Sequence, residues 1–403
     1  MRITAVETFV VDGGWRPWCF VAVRTDEGLT GYGEWTEGHL PHSVAATIDE
    51  LAAVIVGQDA GAIEARYWDL YRLARSSAGG IAAKAIAGIE LALWDLKGKA
   101  LGVPVHALLG GPLRTHQQVY WSHCGSTRIE AADLVGSDPI TSWEDVAALG
   151  REVVERGFGA LKTNVFYPGD PGSILLDGFG GGPGTTDGNV DGAAIAHIRT
   201  LVGTFRDAAG PDVGVALDLN FNFSPEAVGR ICAALEDLKP MWIEVDVAEP
   251  KALAGIRETT DIPICSGENL FETTGYLPFL EERAMDIAML DVAWNGFGVA
   301  KRIADLARTF SVNVAPHNYA SHLGTLQSLN LCAVLPNVRI CEVDVDDVPW
   351  KDALVDAPPV IENGAIAIPE RPGWGANLIE EVAAAHPWGP DRSPAYWTSG
   401  AER

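Results

Sequence analysis

The chain has 403 residues, 47% of them hydrophobic and 21% charged, which is enough apolar material for two packed domains of an ordinary globular protein. A formal net charge of −25 excludes nucleic acid and anionic membrane surfaces as partners, because both bind through clustered Lys and Arg. No apolar run reaches the roughly 18 residues of a membrane span, and the opening MRITAVETFVVDGG lacks an apolar h-region, so the expected location is cytoplasmic.

In chain order, ITAVETFVV and CFVAVRTDEGLTGYGE alternate apolar and polar residues around a DEG turn and predict a short antiparallel meander. Ala46 to Lys99 is rich in Ala and Leu with helical periodicity and closes on KGKALG, a basic last turn followed by glycine. Residues 1–115 thus form an α+β capping domain that ends at GVPVHALLGGPLR. From Gln117 the pattern changes to eight short apolar runs separated by amphipathic segments: QQVYWSH, ALKTNV, VGVALDLN, MWIEV, IPICSGEN, DIAMLD, VNVAPH and VRICEV. Residues 116–345 therefore predict an α/β fold, a parallel (β/α) barrel of the TIM type. Pro168 to Asn189 is too rich in Gly and Pro for an element and reads as a loop after the second strand, either an active-site lid or a surface insertion. Residues 346–403 contain GAIAIPERPGWG, predicted to return to the capping domain, and a tail, HPWGPDRSPAYWTSGAER, predicted to wrap a subunit of a homo-oligomer or to fray. The six cysteines form no CxxC pair and are expected to be core thiols.

Acidic or basic residues close successive strands: Asp218, Glu244, Glu268, Asp291, His317 and Glu342. They are spaced by 23 to 26 residues, about one βα unit, which places them side by side on the rim where barrel enzymes carry their sites. Asp218, Glu244 and Glu268 cannot crowd together as bare anions, so a cation is implied, and an all-oxygen donor set points to Mg²⁺ with Mn²⁺ as a substitute. A cation and a buried lysine also solve a second problem, binding an anionic substrate inside a negative molecule. Asp291 and His317 lie on adjacent strands, so the carboxylate can accept the Nδ1 proton and leave Nε2 toward the pocket as a base. His322 in NYASHLG is the competing histidine, and Lys162 in LKTNV points inward from the second strand.

At these residues the chain resembles the mandelate racemase subgroup of the enolase superfamily. The resemblance runs through IELALWDLKGKALGVPVHALLGG, the carboxylates in DLN, WIE and GEN, the Asp291 and His317 dyad and the late Glu342. It implies the modified barrel of that superfamily and enolisation: Mg²⁺ on the substrate carboxylate, loss of the α-proton to a base, and an enediolate stabilised by the site. It further implies that Glu342, if protonated, donates a hydrogen bond to a carboxylate oxygen of the substrate.

The departures narrow the expectation. Where two-base relatives carry Lys-x-Lys, this chain reads Lys162-Thr163-Asn164, so the second lysine is an amide; where many carry WIEEP it reads Trp242-Ile243-Glu244-Val245-Asp246. Asn220 matches an Asn common in the family and rules out relatives with a histidine there as the template. The resulting expectation is an acid-sugar dehydratase, a hydro-lyase acting on a small carboxylate and giving a 2-keto-3-deoxy acid. His317 serves as base and then as acid, so that proton and hydroxyl leave from one face, and Lys162 stabilises the enediolate. An epimerase or racemase, a cycloisomerase, and a catalytically silent metabolite-binding barrel are the alternatives. Substrate contacts are expected from Asn164, Asn220 and His322, and from the loops at Gly14 to Trp18 and Glu34 to His39 through Arg16, Trp18 and His39.

Overall fold

Three strands, β1 (Ile3–Asp12), β2 (Pro17–Thr25) and β3 (Thr30–Glu34), pair antiparallel in sequence order in the computed structural model, which describes residues 1–175 and 188–389. Helices α1 (Pro41–Ile55) and α3 (Gly80–Leu101) pack on this sheet, and α2 (Ile63–Ala74) packs against both of them. The approach of α3 to β3 is backbone against backbone. A Cβ on Gly31 would meet the Ala92 carbonyl oxygen at 2.1 Å, and one on Gly33 would meet that of Gly88 at 2.2 Å, so only glycine fits at either position.

The barrel strands follow. β4 (His116–Ser122) and β5 (Ala160–Asn164) come first, and a two-residue hairpin, β6 (Phe166–Tyr167) with β7 (Ser173–Ile174), leaves the barrel. Then come β8 (Gly214–Asp218), β9 (Ile243–Glu244), β10 (Ile264–Ser266), β11 (Ile287–Ala288), β12 (Asn313–Val314) and β13 (Cys341–Asp344). Neighbours are parallel throughout, and β13 closes the ring on β4. Between β12 and β13 the contact is a bridge from Val314 to Val338, with Arg339 N donating to Val314 O at 2.8 Å. Tyr120 and Trp242 meet edge to face at 5.5 Å inside the barrel, among small neighbours such as Ala160, Ala216 and Ala315.

Three buried carboxylates of the cap hold it in place. Glu90 on α3 accepts from Phe297 N at 2.8 Å and Gly298 N at 2.9 Å, in the first turn of the barrel helix Phe297–Thr309. Glu34 at the end of β3 accepts from Ser321 N at 2.8 Å and Gly324 N at 2.6 Å, at the start of the helix His322–Cys332. Asp95 takes Tyr32 N at 2.8 Å and Trp374 N at 2.9 Å. The first N–H groups of a helix lack intrahelical partners and favour an anion, so Glu34 and Glu90 supply caps in trans and seat the cap at the C-terminal rim of the strands.

After the barrel, a hairpin of β14 (Ile361–Glu362) and β15 (Ala365–Ala367) adds antiparallel to β4. The chain then reaches the cap: Trp374 Nε1 donates to Tyr32 O at 2.9 Å, and Glu380 accepts from Arg24 at 2.8 Å and from the Tyr32 hydroxyl at 2.6 Å. Within the Gly- and Pro-rich stretch expected to be loop throughout, Ser173–Ile174 instead pairs with Phe166–Tyr167, a turn chemistry that composition alone hides. The rest of that stretch from 176 to 187, with its expected lid, lies outside the described residues, as does the tail from 390. The six cysteines are buried free thiols, and among the described residues no helix is long and apolar enough to cross a membrane.

Candidate active site

The parallel register sets the site. Asp218, the last residue of β8, stands beside Asn164 of β5 on one side and Glu244 of β9 on the other, and Glu268 follows β10. Lys162, two residues before Asn164 on the same face of β5, sends Nζ to 2.9 Å from Glu244 Oε2, 2.8 Å from Glu342 Oε1 and 3.6 Å from Asp218 Oδ2. Burial pushes the carboxyls of Asp218 and Glu244 above the usual range, and the charges of their acidic neighbours add to the effect. Burial opposes the charge on Lys162, yet Glu244 and Glu342 hold its ammonium well above the ordinary lysine value.

Across the cavity, His317 Nδ1 lies 2.6 Å from Asp291 Oδ2 and Nε2 lies 3.3 Å from Glu268 Oε2. The other oxygen of Asp291 accepts from Trp294 N at 2.7 Å, so capping the turn Val292–Asn295 fixes the carboxylate that orients the imidazole. Burial works against the imidazolium, but Glu268 and the hydrogen bond with Asp291 raise His317 to about 10.

Glu342 departs from its expected role as a hydrogen-bond donor. It accepts from Asn318 N at 2.9 Å, from the Ser122 hydroxyl and from Lys162, and although burial opposes ionisation, Lys162 and His317 hold it far below the carboxylate range. A carboxylate so held has no proton to give. Asp246, the displaced acid of the WIEVD run, accepts from Gly267 N at 3.3 Å and Asn269 Nδ2 at 3.2 Å, tying down the loop that carries Glu268.

The cavity is lined from the barrel by Lys162, Asn164, Asp218, Asn220, Glu268 and His317, and from the cap by His39. Glu244, Asp291 and Glu342 are buried and are not part of the lining. Three expected substrate contacts are elsewhere. Arg16 is fully buried with its guanidinium 2.8 Å from Asp344 and 3.1 Å from Asp347, because a guanidinium inside the cap interface must be paired. Trp18 is fully buried against Trp350, ring centroids 5.6 Å apart, and His322 Nε2 turns outward to Asp352 Oδ1 at 2.7 Å. The lining also includes Trp15, Lys84, His123, Phe221, Asn269, Trp294 and Tyr319, which the strand-end pattern did not single out. Lys84 lies on the inward face of α3, with Nζ 3.6 Å from the Trp294 ring centroid, and a charge on an otherwise apolar helix face was its one visible signal.

Comparison with known proteins decides the family. The pattern described as "Mandelate racemase / muconate lactonizing enzyme, N-terminal domain" matches residues 7–110, and that described as "Enolase C-terminal domain-like" matches residues 145–382. The chain belongs to the mandelate racemase/muconate lactonizing enzyme subgroup of the enolase superfamily. This enolase-superfamily enzyme is 31% identical over 393 residues to a D-xylonate dehydratase of Haloferax volcanii, covering 96% of this chain and 89% of that one. It is 31% identical over 392 residues to a D-galactonate dehydratase of Ralstonia pickettii, covering 95% and 93%. A solved structure of a candidate L-alanine-DL-glutamate epimerase from Burkholderia xenovorans, bound to magnesium and fumarate, superposes with a TM-score of 0.94 at 38% identity, covering 98% of each chain.

Superfamily members use Mg²⁺. In this enzyme, among the described residues, the carboxylates are turned toward Lys162 and His317 and no three acidic, His or Cys side chains converge on one point. Within the triad, Glu244 Oε1 is buried without a hydrogen-bond partner in the structure. A buried carboxylate oxygen without a partner is costly, and it stands in a donor set of three carboxylates with no sulfur or nitrogen, the chemistry that suits a hard divalent cation. The residues fit the ion.

Proposed function

We propose that this enzyme dehydrates an acid sugar, removing the proton next to the carboxylate and the hydroxyl on the following carbon to give a 2-keto-3-deoxy acid. The observation that carries this reading is the convergence on one cavity of a carboxylate triad with its buried lysine and a histidine–aspartate pair, in a chain whose full-length relatives include named sugar-acid dehydratases.

Asp218, Glu244 and Glu268 would hold Mg²⁺, which when bound supplies charge stabilisation to the substrate carboxylate. Everything else falls to side chains. Lys162, kept charged by Glu244 and Glu342, adds a fixed positive charge beside the carboxylate as the enediolate forms. His317 Nε2 takes the α-proton, and Asp291 holds the ring in the tautomer that leaves this nitrogen available. The Cα–H pair becomes the Cα–Cβ double bond, the Cβ–O pair leaves with the hydroxyl, and the enol that remains becomes the ketone.

The name of the Burkholderia xenovorans neighbour favours a second reading, epimerisation at the α-carbon. It needs proton-transfer groups on both faces, and Asn164, in place of the second lysine of two-base relatives, cannot titrate in the useful range. The test is a screen of aldonates, aldarates and uronates in D₂O with Mg²⁺, following 2-keto-3-deoxy acid formation and α-deuterium incorporation. Exchange with inversion and no keto acid would select the epimerase; neither exchange nor product on any acid would defeat both readings.

A further inference from the structure

The residue that follows β4 is strained. His123 has φ of 48°, a region that costs energy for a side chain of this size. Its ring is fixed on two sides: Nδ1 lies 2.7 Å from Asp344 Oδ1 on β13, and the ring meets Trp15 of the cap edge-on at 5.2 Å. Asp344 is itself fixed by Arg16 at 2.8 Å and, although burial opposes ionisation, His123 and Arg16 keep it charged. His123 lines the same cavity as His317. The cavity therefore holds two imidazole–carboxylate pairs, one after β12 and one after β4, on the two strands that flank β13.

Dehydration needs two proton movements, one out of the α-carbon and one onto the departing oxygen. The substrate carboxylate belongs beside Lys162 and the triad on β5 and β8 to β10, which places His317 at the α-carbon. His123 follows β4, which lies between β5 of Lys162 and β13, so it meets the cavity at a different point of the rim from His317 on β12. We propose that His123, oriented by Asp344, is the proton donor to the departing β-hydroxyl, an inference that rests on the dehydratase reading above. His317 takes the α-proton and the C–H pair forms the new double bond. The Cβ–O pair leaves with the hydroxyl, and the proton from His123 Nε2 completes the water molecule. Solvent then returns a proton to His123, and the enol shifts its hydroxyl proton to the β-carbon. This assignment replaces the expectation that His317 serves both movements from one face.

The test uses the Mg²⁺-loaded full chain, whichever of D-xylonate, D-galactonate and D-gluconate it turns over, and the analogue of that acid with fluorine in place of the β-hydroxyl. Fluoride departs without a proton. His123→Asn is expected to slow water elimination on the order of 10²- to 10⁴-fold, while fluoride release stays close to wild type. His123→Gln is run in parallel so that a variant melting at the wild-type temperature carries the measurement. Equal loss of water and fluoride elimination in a folded variant, or water elimination at the wild-type rate, overturns the assignment. A wild-type chain that neither exchanges nor eliminates on these acids shows instead that the dehydratase reading has failed, and the assignment goes with it.

Discussion

The side-chain amide of Asn164 donates to Asp218 Oδ2 across 3.3 Å. The same nitrogen lies 3.1 Å from Asn220 Oδ1, and Ser126 Oγ donates to Asn164 Oδ1 at 2.9 Å. The residue that replaces a lysine base thus orients a carboxylate of the triad. Loss of such outer contacts typically costs about 10- to 100-fold in metal affinity. Asn164→Ala is expected to weaken Mg²⁺ binding by that order, read by calorimetry, with α-proton exchange recovering at saturating Mg²⁺. Unchanged Mg²⁺ affinity would show that the amide does not support the triad.

Replacing Glu244 by Gln should act more directly. It removes one charge beside Lys162 and alters the oxygen that has no partner, so Mg²⁺ affinity and turnover are both expected to collapse. Full activity after exhaustive chelation of the wild-type chain would sink the metal assignment.

The cap separates two kinds of residue. Arg16→Ala leaves Asp344 and Asp347 as buried charges short of a partner, a change that typically costs about 3 to 5 kcal/mol. The expected readout is a lower melting temperature, in contrast to the altered substrate preference that the loop's position in sequence implied. Lys84→Ala takes from buried Glu37 its ion-pair partner and is also expected to lower the melting temperature, but unlike Arg16→Ala it is expected to raise KM, because the ammonium stands at the cavity wall beside Trp294. A raised KM in the Arg16 variant alone would reverse their roles.

How much of this was visible beforehand depends on the range of the interaction. The eight strands and their terminal acids were legible because one βα unit repeats, and a local period survives in sequence. The Asp291 and His317 pair was legible for the same reason, since neighbouring strands lie one unit apart. The pair of His123 with Asp344 was not, because its members are 221 positions apart and meet only when the barrel closes. Arg16 and Trp18 were misplaced because a loop sequence reveals polarity and not which way a side chain turns. Glu342 was read as a donor because its ionisation depends on Lys162, Ser122 and Asn318, three groups on three other segments.

His322 gives a test by pH. Burial, with the charge of Lys351, lowers it from the model-peptide value of about 6.5 to about 4, against the pull of Asp352. A histidine depressed on folding binds fewer protons in the native state, so its contribution to stability is present above pH ~6.5 and is lost as pH falls toward 4. His322→Gln is expected to flatten the decline in melting temperature over that window while leaving neutral-pH turnover intact, because the ring lies outside the cavity. A decline of the same slope in the variant would assign the acid sensitivity to other groups.

The last expectation concerns which residue takes the α-proton. His317 Nε2 and Lys162 Nζ both contact the triad, and both residues line the cavity. Lys162 lies within 3 Å of both Glu244 and Glu342, and these carboxylates stabilise its ammonium, so giving up the proton would leave two buried anions without their counter-charge. A group so placed supplies a field and not a base. His317 differs in which carboxylates hold it: Asp291 fixes Nδ1 at 2.6 Å, while the partner of Nε2 at 3.3 Å is Glu268, a triad member that would turn to the ion and leave this nitrogen to the cavity. Removing a positioned general base typically costs about 10²- to 10⁴-fold. His317→Asn is therefore expected to lose α-deuterium exchange and keto-acid formation together, at least by that factor, with Mg²⁺ affinity retained. Lys162→Met should also lose turnover, but for want of charge, and its loss should not depend on which leaving group the substrate carries. Exchange at near the wild-type rate in the His317 variant would make Lys162 the base, and the carboxylates around it would then have to be read as the groups that receive its proton.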